Sequence, residues 1–305
     1  MKPDRHAPSG RAFLLLLLAV LSSSCSPSHS DRIVIGSKNF TESLILGELL
    51  AQQIEAHAHV KVERRFYLAG TYICQQAMLS GRIDIYPEYT GTALTAILKQ
   101  QAGGNAEANK EQVYQRVKTE YESRFGLTLS PPFGFNDTFA MEIRGDDARR
   151  LGLKTLSQAA AYAPQWRAGF GYEFMERPDG YAGLAAAYGL HFAAPPRVMD
   201  LGLLAPALKN RQIDIAAGNT TDGLIPALDF FVLEDDRNYF PPYEAVAVVR
   251  RQSLQQHPEV AQAIAGLGGK ISDLEMQKLN YALDGQHRDV KDVANEFLRS
   301  KGLIP

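Results

Sequence analysis

From position 33 onward the apolar residues fall into short runs and into helical stripes, and the period changes between them. Ile33-Val34-Ile35 reads as a buried strand ending in a turn at Gly36-Ser37. From Thr41 to Ile54 the spacing turns helical, with Leu44, Ile45, Leu49, Leu50 and Ile54 recurring about every 3.6 residues and defining an inward face. Val60 to Tyr67 predicts a second strand and Tyr72 to Leu79 a short helix. Ile83-Asp84-Ile85-Tyr86 predicts a third strand, stopped by Pro87 because proline lacks the N–H a ladder needs. A strand followed by a helix opens an α/β unit.

The pattern then repeats weakly. Gln76-Ala77-Met78-Leu79-Ser80-Gly81-Arg82-Ile83-Asp84-Ile85 is echoed by Ala207-Leu208-Lys209-Asn210-Arg211-Gln212-Ile213-Asp214-Ile215. Each is a helix end, a polar turn and an Ile-Asp-Ile strand, and each runs into a polar, Gly-containing loop, Tyr89 to Thr92 in one and Asn219 to Gly223 in the other. Two such units suggest two lobes, with chance similarity as the competing explanation. Pro131-Pro132-Phe133-Gly134-Phe135-Asn136-Asp137 leads into a strand over Thr138 to Ile143, and Phe240-Pro241-Pro242-Tyr243 leads into another over Ala245 to Val249. Both prolyl segments read as crossovers between the lobes. Helices are expected over Pro258 to Leu267, Asp273 to Leu283 and Val290 to Leu298, with the tail packing back on the first lobe.

The N-terminus departs from this pattern. Lys2, Arg5 and Arg11 precede the apolar run Phe13 to Leu21, which is too short to span a bilayer and is followed by Ser22, Ser23, Ser24, Cys25, Ser26 and Pro27. This is an export signal; a buried N-terminal helix is the rival reading, opposed by that serine- and proline-rich continuation. Cys25 stands where a bacterial lipoprotein would be cut and acylated, although Ser22 occupies the place where such boxes usually carry leucine, so simple cleavage stays open. Cys74, the other cysteine, falls in a predicted helix and implies an ordinary core in place of a disulfide framework. Hydrophobic residues at 45%, charged residues at 22% and a formal net charge of -2 exclude a disordered tail and a nucleic-acid binder.

Familiar catalytic and metal spacings do not occur. Among the histidines His57 and His59 are the one close pair, and neither His-Glu-x-x-His, Cys-x-x-Cys, a nucleophile elbow nor a phosphate-binding glycine motif is present. No catalytic residue, metal site or cofactor is therefore assigned. Asp84 and Glu88 lie four apart, but Pro87 prevents a shared helical face, and the pair reads as a polar strand end. The positive signal is the chemistry at strand ends and crossovers, which face a cleft in a two-lobed α/β protein. Lys38, Tyr89, Thr92, Asp137, Phe139 and Tyr243 occupy such places. Aromatic faces hold an alkylammonium group that has no N–H to donate, and Lys38 or Arg177 would meet a carboxylate at its other end. Each has a plainer reading as well: core packing for an aromatic, surface for Lys38, turn support for Arg177 in Arg177-Pro178-Asp179-Gly180.

Five passages add a resemblance: IVIGSKNFTESLILGELL at 33–50, GRIDIYPEYTGTAL at 81–94, GFNDTFAM at 134–141, RPDGYAGLAAAYGL at 177–190 and TDGLIPALDFFVLEDDRNYFPPY at 221–243. Together they resemble the glycine betaine, choline and carnitine binding family of ABC transport systems, the extracytoplasmic binding proteins of osmoprotectant importers. The resemblance implies an α/β, two-lobed type II periplasmic binding protein fold with a hinged interlobe cleft. Residues 1–30 would be export signal and tether, 31–136 plus 244–305 lobe 1, and 137–243 lobe 2. It also implies a periplasmic or extracytoplasmic protein that is not an enzyme, delivering a small quaternary-ammonium solute to an inner-membrane permease whose cytoplasmic ATPase it engages indirectly. Carried over by position, Lys38, Thr92 and Arg177 match residues that hold the ligand carboxylate, Tyr89 and Tyr243 match two walls of an aromatic cage, and Asp137 matches a main-chain oxygen near the cation. Phe139 and Asn219 depart from tyrosines at the remaining cage positions, implying a pocket that is wider or suited to a bulkier ligand. A carboxylated betaine-type osmoprotectant is the expected solute; a choline-specific or other polar-solute binder and an extracytoplasmic sensor are alternatives, and a hydrolase has the least support.

Overall fold

The computed structural model describes residues 32–100 and 109–305; the export signal and Cys25 lie outside these residues. The chain begins with β1 (Arg32–Lys38), β2 (Lys61–Ala69), β3 (Ile85–Tyr89) and β4 (Leu127–Leu129). It crosses to build β5 (Phe139–Arg144), β6 (Ala168–Phe170), β7 (Arg197–Val198), β8 (Ile215–Asn219) and β9 (Phe230–Leu233), then returns with β10 (Ala245–Arg250). The sheet orders are β2-β1-β3-β10-β4 and β7-β6-β8-β5-β9. These are the same arrangement twice. In each, three parallel strands are followed by an antiparallel strand that has just arrived from the other lobe, β10 in the first sheet and β5 in the second.

The Ile-Asp-Ile echo has a shared physical basis. Asp84 N–H donates to the Val34 carbonyl at 2.7 Å while Val34 N–H donates to the Asp84 carboxylate at 2.9 Å. Asp214 repeats this with Arg167, at 2.7 and 3.0 Å. The turns before them match too: Arg82 and Ile83 N–H converge on the Ala77 carbonyl, and Gln212 and Ile213 N–H on that of Ala207. Gly81 and Arg211 both take positive φ, 70° and 57°, so the second copy holds a non-glycine residue in the left-handed region.

The sequence expectation of a strand over Ile83 to Tyr86 stopped at Pro87 needs correction at both ends, since β3 starts at Ile85 and continues to Tyr89. Pro87 pairs with Ala247 of β10, but Ala247 turns its own N–H and carbonyl toward Ser130, at 2.9 Å each, on the β4 side. The Pro87–Ala247 pair is thus a non-hydrogen-bonded one, where the missing proline donor costs no ladder bond.

The helix Thr41–His57 packs Ile45, Leu46, Leu49, Leu50 and Ile54 against β1 and against Ala294, Phe297 and Leu298 of the terminal helix Val290–Ser300. Each fully buried Leu or Ile contributes roughly 1.5–3 kcal/mol, so this face anchors the tail to the first lobe. At the lobe boundary Asn136 and Glu244 form an antiparallel bridge, Asp137 N–H donates to the Tyr243 carbonyl at 3.0 Å, and Tyr243 N–H donates to Asn136 Oδ1 at 2.7 Å. The two crossovers therefore run side by side.

Candidate functional site

Both repeated units end at the same cleft. The end of β1 delivers Lys38, the end of β3 delivers Tyr89 and, one helical turn on, Thr92 and Thr95; β5 opens with Phe139, and β8 closes on Asn219, which pairs with Phe139 in register. Lys38, Tyr89, Thr92, Asp137, Arg177 and Tyr243 are buried, with Phe139 and Asn219 partly so.

One half of the cleft is organised by Arg177. Its Nε and Nη2 donate to Asp179 at 2.9 and 2.5 Å and its Nη1 to Thr92 Oγ1 at 3.0 Å. Asp179 also accepts from Thr95 Oγ1 at 2.8 Å and from the Tyr243 hydroxyl at 2.5 Å. Burial works to raise the Asp179 pKa, but Arg177, Tyr243 and Thr95 outweigh it and hold the carboxylate below its ordinary range. The guanidinium carbon lies 4.9 Å from the ring centre of Phe139 and 5.9 Å from that of Tyr243, so both rings already face a cation. Gly180 admits no side chain, because a Cβ there would lie 1.9 Å from the Phe174 carbonyl oxygen. This close approach keeps the Arg177–Asp179 turn folded tightly over the cleft.

The other half is organised by carboxyls. Lys38 Nζ donates to Glu88 at 2.5 Å and lies 5.2 Å from the Tyr89 ring centre. The Tyr89 hydroxyl donates to Glu42 at 2.6 Å, and the Asn219 amide donates to Asp137 at 2.6 Å. Burial pushes up both Glu42 and Asp137, the latter further raised by the charge of Glu42.

All eight sequence-derived positions come together here, but two readings of them change. Lys38 and Arg177 are not two uncompensated cations awaiting a ligand anion, since each has its own buried carboxylate. Glu88 is correspondingly more than a polar strand end. Asn219 supplies a hydrogen bond to Asp137 where a ring wall was expected, and the Asp137 side chain is engaged as well as its backbone. Sequence reasoning missed Glu42, Glu88, Asp179, Thr95 and Thr221 as members of the cluster. Glu88 and Asp179 lie within the quoted motifs, beside residues already singled out, which is the signal that would have found them.

A separate pocket of about 390 Å³ lies in the second lobe, lined in part by Arg144, Asp147, Arg150, Trp166, Arg167 and Asp214. Its charges pair with one another: Arg144 with Asp147 and Asp214, Arg150 with Asp147, Arg167 with Asp214. Cys74 is free and buried, its thiol pushed up to about 12 by burial. Among the described residues no group of three or more His, Cys, Asp or Glu could hold a metal ion, and no helix is long and apolar enough to cross a membrane.

Two α/β lobes with a cleft at their strand ends, crossed by paired segments and lined with rings and buried charges, define a solute-binding protein. Residues 31–300 match the family described as the substrate binding domain of ABC-type glycine betaine transport systems. The chain belongs to that family. It is 39% identical over 300 residues to the carnitine transport binding protein OpuCC of Listeria monocytogenes, covering 95% of each chain. It is 33% identical over 292 residues to the ergothioneine transport permease/ergothioneine binding protein EgtU of Helicobacter pylori, covering 95% of this chain and 51% of that one. A solved structure of a glycine betaine/carnitine/choline ABC transporter protein matches with a TM-score of 0.72 at 34% identity, covering 89% of this chain and 99% of that one. The protein is thus the extracytoplasmic substrate-binding component of an ABC importer, with a permease as its partner, and its family is one of transport proteins and not of enzymes.

Proposed function

We propose that the cleft binds a carboxylated quaternary-ammonium solute such as glycine betaine or carnitine. The observation that carries this reading is the Arg177 guanidinium over Phe139 and Tyr243, because ring faces that hold one delocalised cation are shaped to hold another. Thr92, Arg177 and Lys38 would receive the solute carboxylate, exchanging part of their bonding to Asp179 and Glu88 for bonding to the ligand. A zwitterion adds one charge of each sign and leaves the balance of the cleft unchanged.

Choline is the second reading, and a specific observation favours it. Four carboxyls, Glu42, Glu88, Asp137 and Asp179, face two cations, an excess that a purely cationic solute would offset. Titration calorimetry with glycine betaine, carnitine and choline on the wild type and Arg177→Met decides between them. The carboxylated solutes should bind more tightly, with the difference narrowed or abolished in the variant. Tight choline binding insensitive to Arg177→Met, with neither carboxylated solute bound, would transfer the assignment to choline.

Closure about the crossovers, with 31–136 plus 244–305 as one lobe and 137–243 as the other, would give the permease a liganded form to recognise, and the permease would pass the signal to its ATPase. Acylation of Cys25 would tether the mature chain; labelled palmitate entering the wild type but not Cys25→Ser supports it, and an unmodified mature chain starting elsewhere refutes it.

A further inference from the structure

Thr221 stands between two carboxyl groups. Its Oγ1 lies 2.5 Å from Glu42 Oε2 and 2.8 Å from Asp137 Oδ1, and all three residues are buried. The other donors reaching the pair are committed. The Tyr89 hydroxyl serves Glu42 Oε1, the Asn280 amide serves Glu42 Oε2 at 2.9 Å, and Thr221 N–H and the Asn219 amide serve Asp137 at 3.2 and 2.6 Å. A hydroxyl carries one hydrogen, so Thr221 can donate to one carboxyl oxygen alone. The other short contact would set lone pair against lone pair unless a carboxyl supplies a second hydrogen.

We propose that Glu42 and Asp137 share one bound proton through Thr221, and that this proton is taken up when the two lobes close. Glu42 opens the helix Thr41–His57 in the first lobe, whereas Asp137 and Thr221 lie at the crossover and after β8, so the relay spans the cleft. Separation of the lobes would rehydrate both carboxyls and let the proton go. The other charged groups nearby leave the pair without a cation: Lys38 is held by Glu88 beyond the Tyr89 ring, Asp284 accepts from Thr41 Oγ1 beside Glu42, and Asp222 follows Thr221. Burial pushes Asp222 and Asp284 up as well, and neither brings a positive charge to the pair.

The sign follows from linkage. A carboxyl whose pKa is higher in the closed form than in the open one favours closure while it is protonated, and this support is lost as pH rises through the closed-form value. Glu42→Gln mimics the protonated acid. Its amide can donate to Thr221 and accept from Tyr89.

Infrared difference spectra of the full chain at neutral pH, with and without glycine betaine, test the proton directly. With glycine betaine bound, the wild type should carry a carboxylic-acid carbonyl band that both Glu42→Gln and Asp137→Asn remove; a band that neither substitution changes, as one from the separately buried Glu142 would be, or no band at all, overturns the proposal. Calorimetry with glycine betaine in two buffers of different ionisation heat tests the coupling and rests on the solute reading above. Wild-type binding should take up a fraction of a proton and weaken several-fold from about pH 6 to about pH 9, whereas folded Glu42→Gln should show neither effect. Wild-type binding with no buffer dependence and no pH trend overturns the coupling. Should glycine betaine not bind, the solute reading fails, and the same spectra recorded with choline decide the proton.

Discussion

Arg177 clasps Asp179 in a two-point ion pair, and the same carboxylate receives the Tyr243 hydroxyl, so one aromatic wall of the cleft is hydrogen-bonded to the charge pair that holds it. Removing one partner of a buried pair leaves the other charged and uncompensated, at a cost of about 3–5 kcal/mol. Arg177→Met should therefore lower stability in denaturant unfolding by an amount of that order. Arg177→Met/Asp179→Asn should recover part of it, because no lone carboxylate remains. A double variant no more stable than the single one would show that the guanidinium's packing on Phe139, and not its charge, is what the second lobe relies on.

Tyr243 separates ring from hydroxyl. A cation held by a ring face should tolerate Tyr243→Phe much better than Tyr243→Ala. The phenylalanine variant will not be silent, since it deletes a hydrogen bond to a charged group worth about 1.5–3 kcal/mol. Calorimetry should find a loss of several-fold for Phe and well over tenfold for Ala at matched folding. Equal losses would assign the main role to the hydroxyl.

The architecture was legible where local chemistry repeats, and the site was legible as positions but not as partners. Ile83-Asp84-Ile85 and Ile213-Asp214-Ile215 announce equivalent strands because the aspartate in each closes a two-point bond to a neighbouring strand, a requirement local enough to leave the same letters twice. Pro87 misled for the opposite reason: whether a proline ends a strand depends on which way its partner's donors point, and Ala247 lies 160 residues away. Glu42 in the first turn of a helix needs no further explanation than the helix dipole, and Asp179 before Gly180 reads as a turn. The contact of Glu42 with Thr221, and those of Asp179 with Thr95 and of Arg177 with Thr92, emerge only when the two lobes are placed face to face.

Acid stability should report the second-lobe ion network. Asp214 is buried enough to be pushed up, but its bonds to Arg167 and Arg144 win and lower it to about 2. A depressed folded-state pKa contributes stability that is present above the unfolded value of about 3.9 and disappears as pH falls through the folded value. Between about pH 4 and pH 2 the wild type should lose unfolding free energy that Asp214→Asn has already lost. Identical slopes for the two proteins across that window in urea titrations would refute the assignment.

Closure should be tunable at the cleft mouth. Glu173 Oε1 accepts from Thr71 N–H at 2.8 Å, joining the helix Tyr172–Glu176 of the second lobe to the start of the helix Thr71–Leu79 of the first. Small-angle scattering should show compaction on saturation with a bound solute, and Glu173→Ala should shift the unsaturated protein toward the extended form. A profile unchanged by solute, with binding confirmed independently, would exclude a large hinge motion.

Asn219 gives the sharpest test of solute size. It faces Phe139 across the β5–β8 register and spends its amide on Asp137, so it contributes a donor to a carboxyl and no ring face to a cation. A small trimethylammonium group gains from being enclosed on every side, at about 0.5–2 kcal/mol for each ring according to how well water is excluded. A bulkier solute gains less from a further ring and loses room to it. Asn219→Tyr should therefore raise affinity for glycine betaine relative to carnitine by several-fold in calorimetric competition. Asn219→Ala, which removes the donor without adding a ring, should weaken both solutes alike by freeing the Asp137 side chain. If Asn219→Tyr weakens both solutes in the same ratio as Asn219→Ala, the hydrogen bond to Asp137 is what position 219 supplies, and the width of the pocket is set elsewhere.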